Sequence, residues 1–391
     1  MSTPSSSTPV TQVELTTLAL GNLTGVFILI GATSSLFGPL LTTFAHHFSV
    51  SLAKAGEVLS IYFVGALLGV LPGWWGLIHT TGRRVLSTSL LVVAAGTLAS
   101  GLMHSWYLFL ASILLLGLGF GSLDMSLNVL LSRTAPEGRA HRLSFVNAGY
   151  GLGAVICPLL LILAHPRNFP GLFMGIALVA VLLTTFNGGV HAPAQRGEVR
   201  QSELSTVKAQ RWPILLTFVA AYVFYVAMET SASGWMSSQL QRGGYSTSVG
   251  SFITATFWVG MTIGRSLGGP LHRAFNERRL ILGGLILAIG ADLAATSNHV
   301  ALVSYPLLGL ILASVFPMGL VWYTRLVPHD SDGITIILFA MMAGGVIGPG
   351  SVSLLVSHFG VHAIPFAFAA FAATDLAIFA SIRRFAPINF A

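Results

Sequence analysis

Two carboxylates lie where a carboxylate is costly. Asp124 falls within the apolar run 108–131, in the stretch Gly-Ser-Leu-Asp-Met-Ser-Leu-Asn, and Glu229 falls within the run 212–240. On insertion scales an acid at mid-bilayer costs about 2.5–3.5 kcal/mol. Only 8% of the residues are charged, so two acids retained at such depth are expected to bind a proton or a polar solute. Asn128 follows Asp124 by four residues, which puts both on one helical face. Asn147 and Tyr150 border a glycine run, Tyr222, Tyr225 and Gln239 share the run of Glu229, and Asn22 lies in the first apolar segment. Neutral amides and phenols donate and accept hydrogen bonds, which suits a hydroxyl-rich ligand. Trp235, Trp258 and Trp322 could stack on the apolar face of a sugar ring, and each also reads as lipid-facing or core packing. Arg265 could bind an anionic group, pair with an acid or a helix C-terminus, or snorkel to the interface.

Other chemistries have no motif. His-Glu-x-x-His and Gly-x-x-x-x-Gly-Lys-Ser/Thr are both absent. Gly149-Tyr-Gly151-Leu-Gly153 resembles part of a nucleotide loop but sits in an apolar helix rather than between a strand and a helix. The single Cys157 excludes an intrachain disulfide and a cysteine-rich metal site. No enzyme activity, cofactor or metal is expected.

The elements that hold these residues follow from composition. The chain is 54% hydrophobic, and apolar runs of about 20 residues recur, the length that spans a ~30 Å hydrocarbon core as a helix. They do not alternate as barrel strands would. The fold class expected is an all-α membrane protein with twelve transmembrane helices in two six-helix halves. Residues 1–14 form a disordered N-terminus, 15–190 the first half, 191–212 a cytoplasmic linker, 213–384 the second half and 385–391 a tail. Sixteen Lys and Arg fall on one side of this arrangement and three on the other. By the positive-inside rule both termini are cytoplasmic. The net charge of +7 therefore reflects topology rather than nucleic-acid binding. Trp74, Trp75 and Trp106 near span ends read as interfacial belt residues.

The halves echo each other. Both second-to-third loops are basic, with Arg83 and Arg84 in the first and Arg278 and Arg279 in the second. Both fifth spans carry glycines followed by proline: Gly149, Gly151, Gly153 and Pro158, then Gly344, Gly345, Gly348 and Pro349. Internal repeats of this kind favour a secondary transporter with its site between the halves, and repeated glycines let helices approach closely.

Two six-helix sets, a central linker and basic second-to-third loops resemble the major facilitator superfamily over about residues 15–385. Its loop motif is degenerate here: Gly82, Arg83 and Arg84 fit the end, and His79 stands where an Asp is expected. Four segments are similar to the fucose–galactose–proton symporter family, including its sodium–glucose-transporter-like branch. They are Asp124 to Asn128, Asn147 to Pro158, Tyr225-Val-Ala-Met-Glu229 with Gly234-Trp235, and Ser314-Val-Phe316-Pro317. The first span departs from fucose-type members by holding no acid after Glu14.

The resemblance implies that helices one, four, seven and ten line a central cavity, which places Asp124 and Glu229 upon it. A carboxyl in a poorly hydrated cavity binds a proton readily, because desolvation disfavours the charged form. Asp124 is then the expected proton site and Glu229 its partner or a substrate ligand. Arg83, Arg84, Gly151, Gly153, Pro158, Arg265, Pro317, Gly348 and Pro349 are expected in gating or structural roles. Glu57, at an outer mouth, and Asp292 and Asp375, on peripheral spans, carry less weight. The expected function is inward, proton-coupled symport of a small neutral polar solute, a sugar above all, by a monomer in a bacterial inner membrane. The alternatives are a proton-coupled exporter of drugs or metabolites and a membrane sensor that binds ligand without moving it.

Overall fold

A computed structural model describes residues 13–134, 139–164, 168–193, 208–328 and 330–382. Residues 1–12 of the expected N-terminal segment, 194–207 of the linker and the tail from 383 lie outside the described residues.

Among the described residues, twelve long helices cross the molecule. The first half holds α1 (Thr17–His47), α2 (Leu52–His79), α3 (Gly82–Leu102), α4 (Trp106–Ser132), α5 (Arg139–Ala164) and α6 (Phe169–Thr185). The second holds α7 (Lys208–Arg242), α8 (Thr247–Ala274), α9 (Glu277–Ala294), α10 (Asn298–Leu326), α11 (Ser331–Phe359) and α12 (Ala363–Ser381). Ten of them are long and apolar enough to cross a bilayer. The other two are α8 and α9, and α9 is short and carries Glu277, Arg278, Arg279 and Asp292. Helix suits these runs because a bilayer offers no partner to backbone N–H and C=O groups, and a helix satisfies its own. Side chains cap several starts: Thr16 accepts from Ala19 N–H, Asn276 from Arg279 N–H and Asp330 from Gly333 N–H. Gly244 and Gly360 take positive φ, 95° and 74°, where the chain turns after α7 and α11.

Two interruptions depart from twelve simple spans. α2 begins with a single turn, Leu52–Ala55, set off at Gly56. α10 breaks after Leu312 and resumes at Val315. Pro317 explains the second break: it has no N–H for the carbonyl of residue 313, and its ring crowds that carbonyl.

Glycine sets the packing, and it does so twice over. A methyl group at Gly153 would meet the Ile28 carbonyl, fixing α5 close on α1. In the other half a methyl at Gly348 would meet the Ala227 carbonyl, fixing α11 on α7. The middle glycine of each run faces the opposite way: Gly151 abuts Thr262 of α8, and Gly345 abuts the Phe63 ring of α2. Each fifth span thus grips its own half with one face and the other half with its reverse. α4 seats on α2 in the same manner, with Gly121 against the Ala66 carbonyl.

Hydrogen bonds between the halves gather at the end away from the chain termini. Gln241 of α7 bonds Thr42 of α1 and donates to the Pro39 carbonyl at 3.3 Å. The same amide donates to Ser237 at 2.8 Å and accepts from Thr247 at 3.2 Å. Ser353 donates to the Ala53 carbonyl at 2.5 Å, and Ser60 to the Val346 carbonyl at 3.0 Å. At the opposite, arginine-rich end, ion pairs act within the second half. Arg325 reaches both Glu277 oxygens at 2.8 and 2.9 Å, and Arg211 meets Asp330 at 2.7 Å. The α5–α8 contact is tight at Gly151. Asn147, one turn nearer that end, and Arg265, one turn past Thr262, are both exposed. The halves therefore part toward the arginine-rich end, leaving a cleft.

Overpacking a tight core contact costs about 1–3 kcal/mol. Gly121→Leu should accordingly lower the thermal transition of the purified protein, whereas Gly175→Leu, in α6 with open space around it, should leave it unchanged. Gln241→Leu removes the bonds that tie α7 to α1. Spin labels at His46 and Arg242, both exposed at that end, should then show a population at longer separation than in the unaltered protein.

Candidate functional site

The candidate residues lie on α1, α2, α4 and α5 of the first half and on α7, α8 and α10 of the second. On α7, Tyr222, Tyr225 and Glu229 recur at helical spacing along one face. On α8, Trp258, Thr262 and Arg265 do the same. These two stripes bring Arg265 Nη2 within 3.4 Å of Glu229 Oε1. The Arg265 side chain is 40% exposed and that of Glu229 13%. Tyr225, one turn before Glu229, lies against both members of the pair. Its hydroxyl also points at the Leu312 carbonyl, 3.4 Å away, while Tyr222 donates to the Phe316 carbonyl at 2.5 Å. The two phenols hold the broken segment of α10 against α7.

Asp124 stands on the facing half. Asn128 donates to its backbone carbonyl at 2.8 Å and to its carboxylate at 3.4 Å. Among the described residues no ion pair joins Asp124 to a cation. Tyr150 of α5 lies within reach of both acids. Its hydroxyl donates to Ser34 of α1 at 2.8 Å, and its ring meets Trp258 edge-on at 5.8 Å. Glu229, Asp124 and Arg265 are all within electrostatic reach of that phenol. Tyr62 of α2, 3.1 Å from Thr33, is likewise in reach of Asp124. Trp258 donates its indole N–H to Ser233 at 3.1 Å. Exposed Asn128 and Asn147 lie nearer the open end.

Glu229 therefore has Arg265 as its partner rather than Asp124. Four expected ligands sit away from this group. Asn22 donates to Asn187 at 2.8 Å and to the Leu183 carbonyl at 3.3 Å, tying α1 to the end of α6. Trp235 is fully buried against Gly56, where α7 meets α2 at the closed end. Gln239 donates to the Ala295 carbonyl at 2.7 Å and accepts from Tyr305, bracing α7 on the α9–α10 turn. Trp322 stacks on Phe379 of α12 at 6.1 Å. Ser34, Thr33 and Ser233 are not legible in the sequence, since small hydroxyl residues in an apolar helix carry no spacing signal, and Tyr62 reads there as an ordinary core aromatic.

The remaining positions are plain. Arg83 and Arg84 are exposed at the start of α3, and Gly82 is buried against Leu130 and Ala192. Pro158 lies inside α5 and Pro349 inside α11. Glu57 is exposed. Asp292 and Asp375 are completely buried in α9 and α12, and their carboxyl oxygens meet no hydrogen-bond partner among the described residues. Trp74 and Trp75 are exposed, as belt residues would be, but Trp106 is buried against Phe48 and Phe109 and belongs to the core.

Several known proteins are similar to this chain over most of its length. The glucose/mannose transporter GlcP of Bacillus subtilis is 23% identical over 340 residues, covering 82% of this chain and 84% of that one. The L-fucose-proton symporter of Escherichia coli is 21% identical over 376 residues, covering 84% of each. The cyanate transport protein CynX of Escherichia coli is 25% identical over 368 residues, covering 90% of this chain and 93% of that one. A bacterial homologue of the human lysosomal transporter Spinster, solved in an inward-facing and unoccupied conformation, superposes with a TM-score of 0.79 at 16% identity. It covers 94% of this chain and 96% of its own. Residues 23–291 match the profile of the Major Facilitator Superfamily. The chain belongs to that superfamily, resembles its fucose symporter branch, and is a multi-pass membrane transporter.

Proposed function

We propose that the protein carries a small neutral polar solute, a sugar above all, together with a proton, across a bacterial cytoplasmic membrane. The observation that carries this reading is Asp124: a half-buried carboxylate beside an amide, with no ion-pair partner among the described residues. Such a group is least costly when protonated, so a proton is its natural counter-charge at membrane depth. The cleft around it offers phenols, amides and an internally balanced ion pair, which suits an uncharged, hydroxyl-bearing ligand. The named sugar carriers among the relatives point the same way, and the cyanate carrier does not.

In this reading the halves, 15–190 and 213–384, rock about the cleft as a monomer. The arginine-rich end and both termini face the cytoplasm, so the present state is open inward. Solute and proton enter together from outside, Asp124 carries the proton, and both leave when the inner end parts. Glu229, held by Arg265, is not needed as a second proton carrier.

In proteoliposomes, addition of D-glucose, L-fucose or D-mannose should alkalinise the outer medium if that sugar is the solute. Asp124→Asn should abolish accumulation driven by a pH gradient and leave counterflow of labelled sugar, because exchange needs no net proton movement. Undiminished pH-driven accumulation by this variant would remove Asp124 as the coupling site. A thermal-shift screen in which only hydrophobic cations stabilise the protein would favour export over sugar uptake.

A further inference from the structure

We infer that Glu229 and Arg265 act together as the subsite for two adjacent hydroxyl groups of the solute, leaving Asp124 alone to carry the proton; this rests on the sugar reading above. The pair is joined by a single contact of 3.4 Å, from one guanidinium nitrogen to one carboxylate oxygen. An arginine has five N–H donors and a carboxylate about four acceptor positions, so most of both remain available. The Arg265 side chain is 40% exposed and that of Glu229 13%, so a solute can reach the pair. Tyr225 flanks the pair on its own helix, and Tyr150 approaches from the other half.

The chemistry of this surface is specific. A guanidinium donates and cannot accept, and a carboxylate accepts and cannot donate. A hydroxyl does both. Two neighbouring hydroxyls on a ring can therefore bridge the pair, one accepting from Arg265 and the other donating to Glu229, and both bonds are charge-assisted. The opposite charges also select against the alternatives. An anion drawn to Arg265 meets Glu229, and a cation drawn to Glu229 meets Arg265. The partly exposed Tyr150 ring, backed edge-on by buried Trp258 at 5.8 Å, offers apolar surface to the carbon side of such a ring. Both members of the pair belong to the second half, whereas Asp124 belongs to the first. Solute recognition and proton binding thus sit on opposite sides of the cleft, with the Tyr150 phenol within reach of both.

The test uses the full-length protein in proteoliposomes, with whichever of D-glucose, L-fucose or D-mannose it carries. Glu229→Gln and Arg265→Gln should each raise KM by about tenfold or more, the size of one lost charged hydrogen bond, while the pH dependence of uptake is retained. Arg265→Lys should also raise KM, because an ammonium keeps the charge but not the planar paired donors. On the unaltered protein, removing one of the two bridging hydroxyls should weaken uptake by a similar factor. In Glu229→Gln the same deoxy sugar should be handled almost as well as the parent. This loss of discrimination distinguishes a ligand contact from a general disturbance of folding. If Glu229→Gln keeps its KM and loses pH-driven accumulation, the pair is part of the proton path and the inference is overturned, while sugar symport stands. If the unaltered protein carries no neutral sugar, the reading beneath it falls and this inference falls with it.

Discussion

A lipid interior supplies no hydrogen bonds, so each polar group placed there must find its partner within the protein or bear the cost alone. Much of this molecule can be understood as the answer to that demand. Tyr222 and Tyr225 reach the carbonyls beside the α10 break. Asn22 spends its amide on Asn187 and Leu183, and Gln239 on Ala295 and Tyr305. Arg265 and Glu229 answer each other. Against this background Asp124 is the exception inside the cleft, with one amide for company. Buried Asp292 and Asp375 are exceptions too, but they lie on α9 and α12, outside the group described above.

The two halves share a skeleton and differ in electrostatics. Both use a glycine run to press the fifth helix onto the first, and both turn the middle glycine toward the partner half. Upon that common frame the first half places a single acid, and the second places an acid with a cation. A repeated fold can in this way divide one task between unlike sides. The symmetry gives each half the same hinge contacts, and the asymmetry gives the cycle something to act on.

The residues that announced themselves in the sequence did so by being costly. Asp124 and Glu229 stand out because charge is rare in apolar runs, and the twelve helices stand out because their length is dictated by the bilayer. What the pattern could not convey was orientation. In a helix that is apolar all round, periodicity does not say which face meets lipid, a neighbour or the cleft. Trp235, Trp322, Gln239 and Asn22 thus looked as suitable as Trp258 and Tyr150 until the packing placed them. The Glu229–Arg265 pair was hidden for a related reason: its members are 36 residues apart on separate helices, and only the crossing of α7 and α8 brings them together. The break in α10 was legible in principle, since Pro317 forbids the bond that would have closed it.

The fastening of the closed end is made of uncharged groups: an amide, hydroxyls and backbone carbonyls, gathered on Gln241, Ser353 and Ser60. Screening by salt acts on charges, and none of these groups titrates at ordinary pH. A clasp of this composition holds with the same strength in fresh water and in brine, at pH 5 and at pH 8. Whatever loosens it must arrive as a mechanical displacement of the helices from within. These closing contacts are therefore insensitive in themselves to salt and pH, and they yield to what moves the helices around the site.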